Sequence, residues 1–551
     1  MASDSSLHPT LMSNLADLNR SQPGLVRRLC EPSSGDHIGG TPVALTVNRS
    51  TFTLDLPPDS LAAGPKRSTE SIVVLGVGTG DQLKAVLESN PEASVTAWDR
   101  DPAMIRLALQ THLFGDAIRE GRLQWALGED LIHLPRVPDH RRIVHPLLGQ
   151  IYGREISLLD RDPHAPRILM CSGGLFIDDV ADCFEQAGLG VYTWDTERQS
   201  AASLRQTAEV IAPELVFAVN YTQGLAEACA ELALPLIVWE IDPATDGLRP
   251  VGCPTDHVHI HTYRQSNVAR FEAAGFRRVS YTPLAANTER RTPAPEGTQT
   301  GPPVCFVGAS MVDQAMRFRT AFFDAWQAVH TNDKTAKSKG MKVLNAILTA
   351  QRARPREYVI PGLMRRHMAD FMAAVEGTIP HDPVALVAEI AAAERRLTIA
   401  SRLGNEDLHV WGDPGWRMAV AHGVVHRGYA GHRHQLTTIY QQGQIHIDIN
   451  RLYQLDIVPM RVFDILACRG FLIAEYSPAL AALFDLGIEV ESWSTVDELI
   501  DKVRYYKDHP HAARRIALKG HQAVCQRHTI AGRIADMLRA LPAATDTAEV
   551  G

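Results

Sequence analysis

The chain has 551 residues, 45% of them hydrophobic and 21% charged, a length for about three or four domains and a composition of the ordinary globular kind. Its formal net charge of −8 excludes a general nucleic-acid binder, whose affinity would rest on Lys and Arg at phosphates. No apolar run reaches the roughly 18 residues of a membrane-spanning helix, and the N-terminal MASDSSLHPTLMSNLADLNRS lacks the positive segment and apolar core of a secretory signal.

Residues 1–65 read as a helical start (Leu11 to Leu29), a Ser/Gly/Asp loop and a strand pair in VALTVNRSTFTLDL. SIVVLGVGTG, ASVTAWDR and RLQWALGED then alternate as strands with helical DQLKAVLES and PAMIRLALQTHLF, which implies a parallel sheet. The pattern stops after Asp130 in a polar, proline-broken stretch, so this unit is expected to be a truncated half-sheet. From Arg167 a second series follows, with strands RILMC, LGVYTW, LVFAVN, PLIVWEI, VHIHTY and VSYTPL. It closes in NTERRTPAPEGTQTGPP, whose prolines, glycines and threonines mark an inter-domain linker over 287–303. The third series opens with PVCFVGAS and passes through a helical insertion over about 317–403. It resumes at DLHVWGD, GVVHRGYAG, QIHIDIN, PMRVFDILA with GFLIAEYS, and IEVESW. The domains expected are therefore 1–160, 167–290 and 301–530, the last two forming a cleft, a usual place for a small-molecule site. The eight cysteines are scattered without a CxxC, and several sit in apolar context, so buried reduced thiols and a cytoplasmic location are expected.

Gly76-Val77-Gly78-Thr79-Gly80 after SIVVL, with Asp99 ending the next strand, has the form of a nucleoside-binding βαβ unit, as in class I methyltransferases. No acidic-Pro-Pro-aromatic loop follows, so a retained, inactive fold is preferred. Asp99-Arg100-Asp101 and Asp160-Arg161-Asp162 both match DxD, a pattern too short to carry a metal–diphosphate site, and both are discounted. Glu240 and Asp242, in Trp239-Glu240-Ile241-Asp242-Pro243, end a buried strand where ligands collect in open α/β sheets. One of them is a candidate general base on an acceptor hydroxyl; the alternative is an Asp-Pro turn with solvated carboxylates. His257, His259 and His261 share one strand face, read as a polar face in preference to a metal site, so no metal is assigned.

Phe306-Val307-Gly308-Ala309-Ser310 follows a strand and precedes a helix with Arg317 and Arg319. Gly308 would let a phosphate approach the backbone, with Ser310 and Arg317 beside it; the alternative is tight strand–helix packing. Tyr429, after Gly428, is a candidate for stacking on a nucleobase, against simple packing. The densest signal is Asp456 to Ser477, DIVPMRVFDILACRGFLIAEYS. Pro459 suits a first helical position, Val462, Phe463, Ile465, Leu466 and Ala467 make the helix apolar almost all round, and Phe471–Ala474 reads as a core strand. Arg461 and Asp464 interrupt the apolar helix near its N-terminus, where backbone N–H groups and the dipole favour an anion. Asp456 and Asp464 form an acidic pair separated by seven residues. Donors and a cation for a diphosphate, with carboxylates for sugar and ribose hydroxyls, are the parts of a nucleotide-sugar site. The alternative is a surface ion pair between Arg461 and Asp464, three apart on a helix.

From Arg167 to Arg533 the chain resembles the CgeB-like glycosyltransferases. ILMCSGGLFIDD, AVNYTQG, LPLIVWEIDP, SYTPLAAN, CFVGAS, HVWGD, VVHRGYAG, IDINR, PMRVFDILACRGFLIAEYS, IEVES, VDELIDKVRYY and HTIAGR carry the likeness in order. The resemblance implies an α/β protein of GT-B type, a pair of Rossmann-like domains, here preceded by a smaller, truncated Rossmann-like domain. It implies a nucleoside diphosphate-sugar donor on the C-terminal domain, no cofactor and no metal requirement. It also places Asp456 on the sugar and Asp464 on the ribose, with shorter aspartates where the family's retaining enzymes carry glutamates. NLADLNRSQPGLVRRL, VVLGVGTGDQLKAVLESNPEASVTAWDRDPAMIRLAL and GRLQWALGEDL resemble the domain preceding the catalytic region of Maf motility-associated proteins. That likeness suggests a bacterial surface or flagellar protein or glycan as acceptor. Two other functions stay open: methyl transfer from S-adenosylmethionine by the N-terminal domain, and a non-catalytic binding scaffold with a degenerate GT-B core.

Overall fold

The computed structural model describes residues 8–31, 38–39, 43–47, 50–54, 68–172, 176–196, 201–242, 248–295, 300–432 and 434–541. The chain divides into two compact units, one of Met1–Thr262, Asn267–Ser280 and Met537–Gly551, the other of Tyr263–Ser266 and Tyr281–Asp536.

Among the described residues the first unit holds three sheets. A small antiparallel one is made of β1 (Ile38–Gly39), β2 (Ala44–Val47) and β3 (Ser50–Thr53). A parallel four-stranded sheet follows, from β4 (Ile72–Leu75), β5 (Val95–Asp99), β6 (Leu123–Leu127) and β7 (Arg142–Val144), in the order β6-β5-β4-β7. The expected half-sheet is thus one strand short of what forms. β7 is three residues long, and its RIV follows charged residues, so local periodicity could not mark it; pairing with β4 alone makes it a strand. The third sheet is six-stranded: β8 (Arg167–Ser172), β9 (Gly190–Asp195), β10 (Leu215–Val219), β11 (Leu236–Glu240), β12 (Val258–Thr262) and β13 (Arg278–Tyr281), ordered β13-β12-β11-β10-β8-β9. Its central strands LVFAV and LIVWE are buried at every position, as strands covered on both faces must be. Polar groups tie this sheet to the preceding one: buried Glu129 accepts from Arg28 (2.7 Å) and Gln206 (2.8 Å), and the half-buried Arg154 donates to Glu185 (2.6 Å) and Asp182 (2.9 Å).

The second unit is built on a six-stranded sheet of β14 (Val304–Val307), β15 (Leu408–Trp411), β16 (Val425–His426), β17 (Ile445–Ile447), β18 (Leu472–Glu475) and β19 (Glu491–Trp493), ordered β16-β15-β14-β17-β18-β19. Every pairing in it is parallel. The protein is α/β, with two six-stranded Rossmann-like sheets preceded by a smaller one. Between β14 and β15 run five helices, Val312–Val329, Ala336–Arg352, Ile360–His367, Ala369–Val375 and Pro383–Leu403, which share a core of their own around Phe322, Leu344, Met364 and Phe371.

The stretch expected as a linker over 287–303 is docked on the second unit along most of its described length. Ala286 bridges Thr529, Arg290 O accepts from Thr437, and Thr292 O accepts from Gln441 at 2.7 Å. The boundary between the units falls earlier, at 262–267 and 280–281. Polar, proline-rich composition marks irregular backbone, and here irregular backbone is anchored by side-chain hydrogen bonds from the next domain.

Candidate functional site

Three loops at the carboxyl ends of neighbouring parallel strands interlock in the second unit. Gly308 N–H donates to Trp411 O (2.9 Å), and Gly412 N–H donates to Gly428 O (2.8 Å). Gly308 O accepts from Trp416 Nε1 (2.8 Å). A Cβ on Gly412 would stand 2.2 Å from Gly308 O, and one on Gly415 would stand 2.2 Å from Ser310 Oγ. Asp413 receives Ser310 N–H at 2.6 Å and also the Ser310 hydroxyl. The fully buried Ser310 therefore holds the loop after β14 against the loop after β15.

Into this platform come arginines from two helices. Arg461, on the helix Met460–Ala467, donates to Asp448 and, at 3.1 Å, to Ile449 O. Its guanidinium lies 5.4 Å from the Phe306 ring centre. A Cβ on Gly308 would come within 3.6 Å of Arg461 Nη1 and 2.9 Å of the Phe306 ring, so glycine here keeps the loop and the guanidinium close. Arg396, on Pro383–Leu403, donates to Ala309 O (2.7 Å) and Ile449 O (3.1 Å), which ties the ends of β14 and β17 together. It is 4% exposed, and its Nε has no acceptor among the described residues. Burial first, then the neighbouring Arg461 and Arg451, pull its guanidinium down to about 9. Next to it Arg395 pairs with Glu475 at the end of β18, and Glu475 also accepts Asn450 N–H at 2.9 Å. The carboxyl ends of β14, β17 and β18 thus carry clustered guanidiniums, an arrangement that favours an anion.

The alternative reading of Arg461 and Asp464, a surface ion pair with each other, is not what forms. Asp464 is 4% exposed and pairs instead with buried Arg291, whose Nε is 3.0 Å away. Arg291 reaches Thr437 (2.8 Å) and His432 O (2.9 Å) as well. Asp456 is half-buried and accepts from Arg264 (2.8 and 3.3 Å) and Ser266 (2.5 Å). Burial by itself raises its carboxyl, but these hydrogen bonds and the Arg264 charge overcome that and hold it below the usual range. Pro459 is the residue before the helix, with extended ψ of 152°, and not its first residue; its carbonyl accepts Val462 N–H (3.0 Å). No side chain caps that N-terminus, and no acid lies in its first turn. Tyr429 is 71% exposed beyond β16, and Arg317 is exposed on Val312–Val329.

In the first unit Glu240 is fully buried at the end of β11. It accepts from the Thr262 hydroxyl on the neighbouring strand and from Asn267 Nδ2, on the helix Gln265–Ala273, at 3.0 and 3.1 Å, so both oxygens are engaged within its own unit. Asp242 is exposed, on a turn set by Asn220, whose Oδ1 accepts Ile241 and Asp242 N–H groups (2.8 and 3.1 Å). Residues 243–247 lie outside the described ones. Burial lowers the imidazoles of His259 and His261, His261 to about 4, and His257 bonds Ala226 O (3.0 Å).

The glycine loop at Gly76–Gly80 is filled from within. A Cβ on Gly78 would meet His145 Nε2 at 2.8 Å, and one on Gly76 would meet Leu148 Cβ at 2.7 Å. Asp99 is fully buried and accepts from Val77 N–H (2.9 Å) and Asp101 N–H (3.0 Å). The carboxylate that a nucleoside ribose would need is thus taken up by the loop itself, which speaks against the methyltransferase reading. In the second DxD, Asp160 pairs with Arg142 (2.6 Å).

Sequence reasoning passed over Arg395, Arg396, Asp448, Glu475 and Asp413. A signal existed for all but Asp413. Two consecutive arginines interrupt Pro383–Leu403, which is otherwise buried at most positions from Leu386 to Leu403. Asp448 and Glu475 close buried strands at the end where α/β sheets bind ligands.

Residues 388–539 match the family model described as Glycosyl transferase-like, so the second unit carries a glycosyl transferase-like segment. A search of the curated proteins found no match. Among solved structures, Anabaena HepE in complex with UDP-glucose is similar at 12% identity and a TM-score of 0.41, over 68% of this chain and 100% of that one. Sucrose-phosphate synthase from Thermosynechococcus elongatus is similar at 9% identity and a TM-score of 0.41, over 68% and 98%. T4 phage BGT in complex with its UDP-glucose substrate is similar at 10% identity and a TM-score of 0.35, over 68% and 98%. Likeness this distant is no ground for carrying a ligand or a reaction across.

Proposed function

We propose that this protein is a glycosyltransferase that moves a sugar from a nucleoside diphosphate-sugar to a protein or glycan acceptor. The observation that carries the reading is the convergence of Arg461 and Arg396 on strand-end loops, both arginines lying inside the glycosyl transferase-like segment. Guanidiniums fixed in advance by Asp448, Ile449 O and Ala309 O need no reorganisation as charge develops on the departing diphosphate. Gly308 keeps the backbone open beside Arg461, and the uncapped helix start after Pro459 adds N–H donors. Ser310 positions this loop through Asp413 and is not assigned to the donor.

Asp464 is assigned to the ribose and Asp456 to the sugar, each carboxylate paired with its own arginine, Arg291 and Arg264. Tyr429 is assigned to the base, and Arg317, exposed on Val312–Val329, to the donor's phosphates. Asp242 is the general base of choice over Glu240, because its carboxylate is at the surface. No metal is assigned, the arginines supplying the positive charge. Among the described residues no helix is long and apolar enough to cross a membrane. All eight cysteines are free, in keeping with a cytoplasmic location. The finer reading, a CgeB-like enzyme with a Maf-like N-terminal domain and a bacterial surface or flagellar acceptor, rests on the sequence stretches quoted above.

The test is calorimetric titration of the full chain with UDP, GDP, dTDP and S-adenosylhomocysteine. One nucleoside diphosphate is expected to bind. Arg461→Met with Asp448→Asn, which removes both buried charges together and so spares the fold, should weaken it at least about tenfold, since hydrogen bonds to charged groups contribute ~1.5–3 kcal/mol. Binding of S-adenosylhomocysteine alone, or of no nucleotide, would sink the reading.

A further inference from the structure

The second unit contains a cavity of about 440 Å³ that the proposed donor residues do not line. It opens at the other ends of the same strands: Ile445 begins β17 and Phe471 immediately precedes β18, whereas Asp448 and Glu475 follow or close those strands at the carboxyl side. Arg469, Lys507 and Arg514 line it, and among the described residues no carboxylate does. Phe471 and Tyr506, ring centres 4.5 Å apart, form an apolar wall, both almost fully buried. The volume is in the range of small-molecule pockets, and the lining combines apolar wall with convergent polar groups as such pockets do.

Two further features point to an anion. The helix Pro510–Arg527 brings its first residues to the cavity through Pro510, Ala513 and Arg514. Its N-cap His509 makes no side-chain cap and no acid lies in the first turn, so the positive end of an 18-residue helix is not offset within that turn. Arg469, just beyond the helix Met460–Ala467, has φ of +58°, a conformation glycine adopts freely and L side chains rarely do. The helix closes there through Arg469 N–H to Leu466 O (3.0 Å) and Gly470 N–H to Ile465 O (2.9 Å). Glycine would serve that turn with less strain; an arginine held there places a cation at the cavity instead. Lys507 is partly neutralised by Glu406, at 2.9 Å from its carbonyl and 3.2 Å from its carboxylate, while Arg514 is exposed.

We propose that this cavity binds a phosphorylated small molecule with a ring, of about the size of a nucleoside monophosphate, at a site separate from the donor loops. The phosphate lies with Arg469, Arg514 and the start of Pro510–Arg527, and the ring lies on Phe471 and Tyr506. The test is titration of the full chain with adenosine monophosphate and with glucose 6-phosphate. Saturable binding of at least one is expected, weakened at least about tenfold, the worth of one charge-assisted contact, in both Arg469→Gly and Arg514→Glu. Arg469→Gly relieves the left-handed backbone, so its melting temperature is expected to hold or rise and lost binding cannot be ascribed to misfolding. Binding is expected to persist in Arg461→Met with Asp448→Asn, whatever becomes of nucleoside diphosphate binding. Absence of saturable binding to about 1 mM overturns the proposal. So does binding indifferent to either cavity variant, and so does binding abolished by the donor-loop variant, which would place the probe at the donor site.

Discussion

Asp99 illustrates how much a single residue's surroundings can reverse its expected chemistry. Its place after a glycine-rich turn suggests a ribose contact, yet burial pushes its carboxyl up to about 7 against the two backbone N–H groups that lower it. The unfolded carboxyl titrates near 3.9. Between about pH 4 and pH 7 the folded protein therefore holds a proton that the unfolded chain has released, and stability falls as pH rises through that window. Asp99→Asn is expected to remove this slope, as read from urea midpoints across the window; an unchanged slope would put the buried proton elsewhere. Arg461 was legible as a residue because a cation inside an apolar helix is hard to explain by packing. Its partner was not: Asp448 lies 13 residues earlier, on another element, and nothing local pairs the two.

The helix Met460–Ala467 is legible as an element, since its apolar positions run almost all round and the next strand follows within a few residues. What holds it was hidden. Asp464 and Arg291 form a pair with side chains 6% and 2% exposed, linking this helix to a stretch whose composition reads as linker. Removing one partner leaves a buried uncompensated charge, so Arg291→Ala is expected to lower stability by about 3 kcal/mol, and Arg291→Met with Asp464→Leu to recover most of it. Equal midpoints for wild type and Arg291→Ala in urea would contradict the pairing. Pro383–Leu403 shows the converse failure. Read as part of an insertion, it carries Arg395 and Arg396 to the strand ends, where they bond Glu475 and Ala309 O, contacts that no local feature of the helix sequence announces.

At the scale of the whole molecule the chain divides into two compact units, each with its own buried cores. Calorimetric unfolding is accordingly expected to show more than one transition. Asp99→Asn should move one of them and Arg291→Ala another; a single transition shifted by both would show one cooperative body. The sequence by itself determined the strands of the two six-stranded sheets and the segment 456–477, because hydrophobic period and turn chemistry are local properties of the chain. Tertiary structure alone decided that β7 completes a fourth strand and that 286–295 is anchored to the second unit. It also decided which arginine each buried aspartate takes and that Arg396 joins Arg461. Those outcomes depend on contacts between residues distant in sequence, where burial makes an unpaired charge costly but leaves the choice of partner to the packing of the fold.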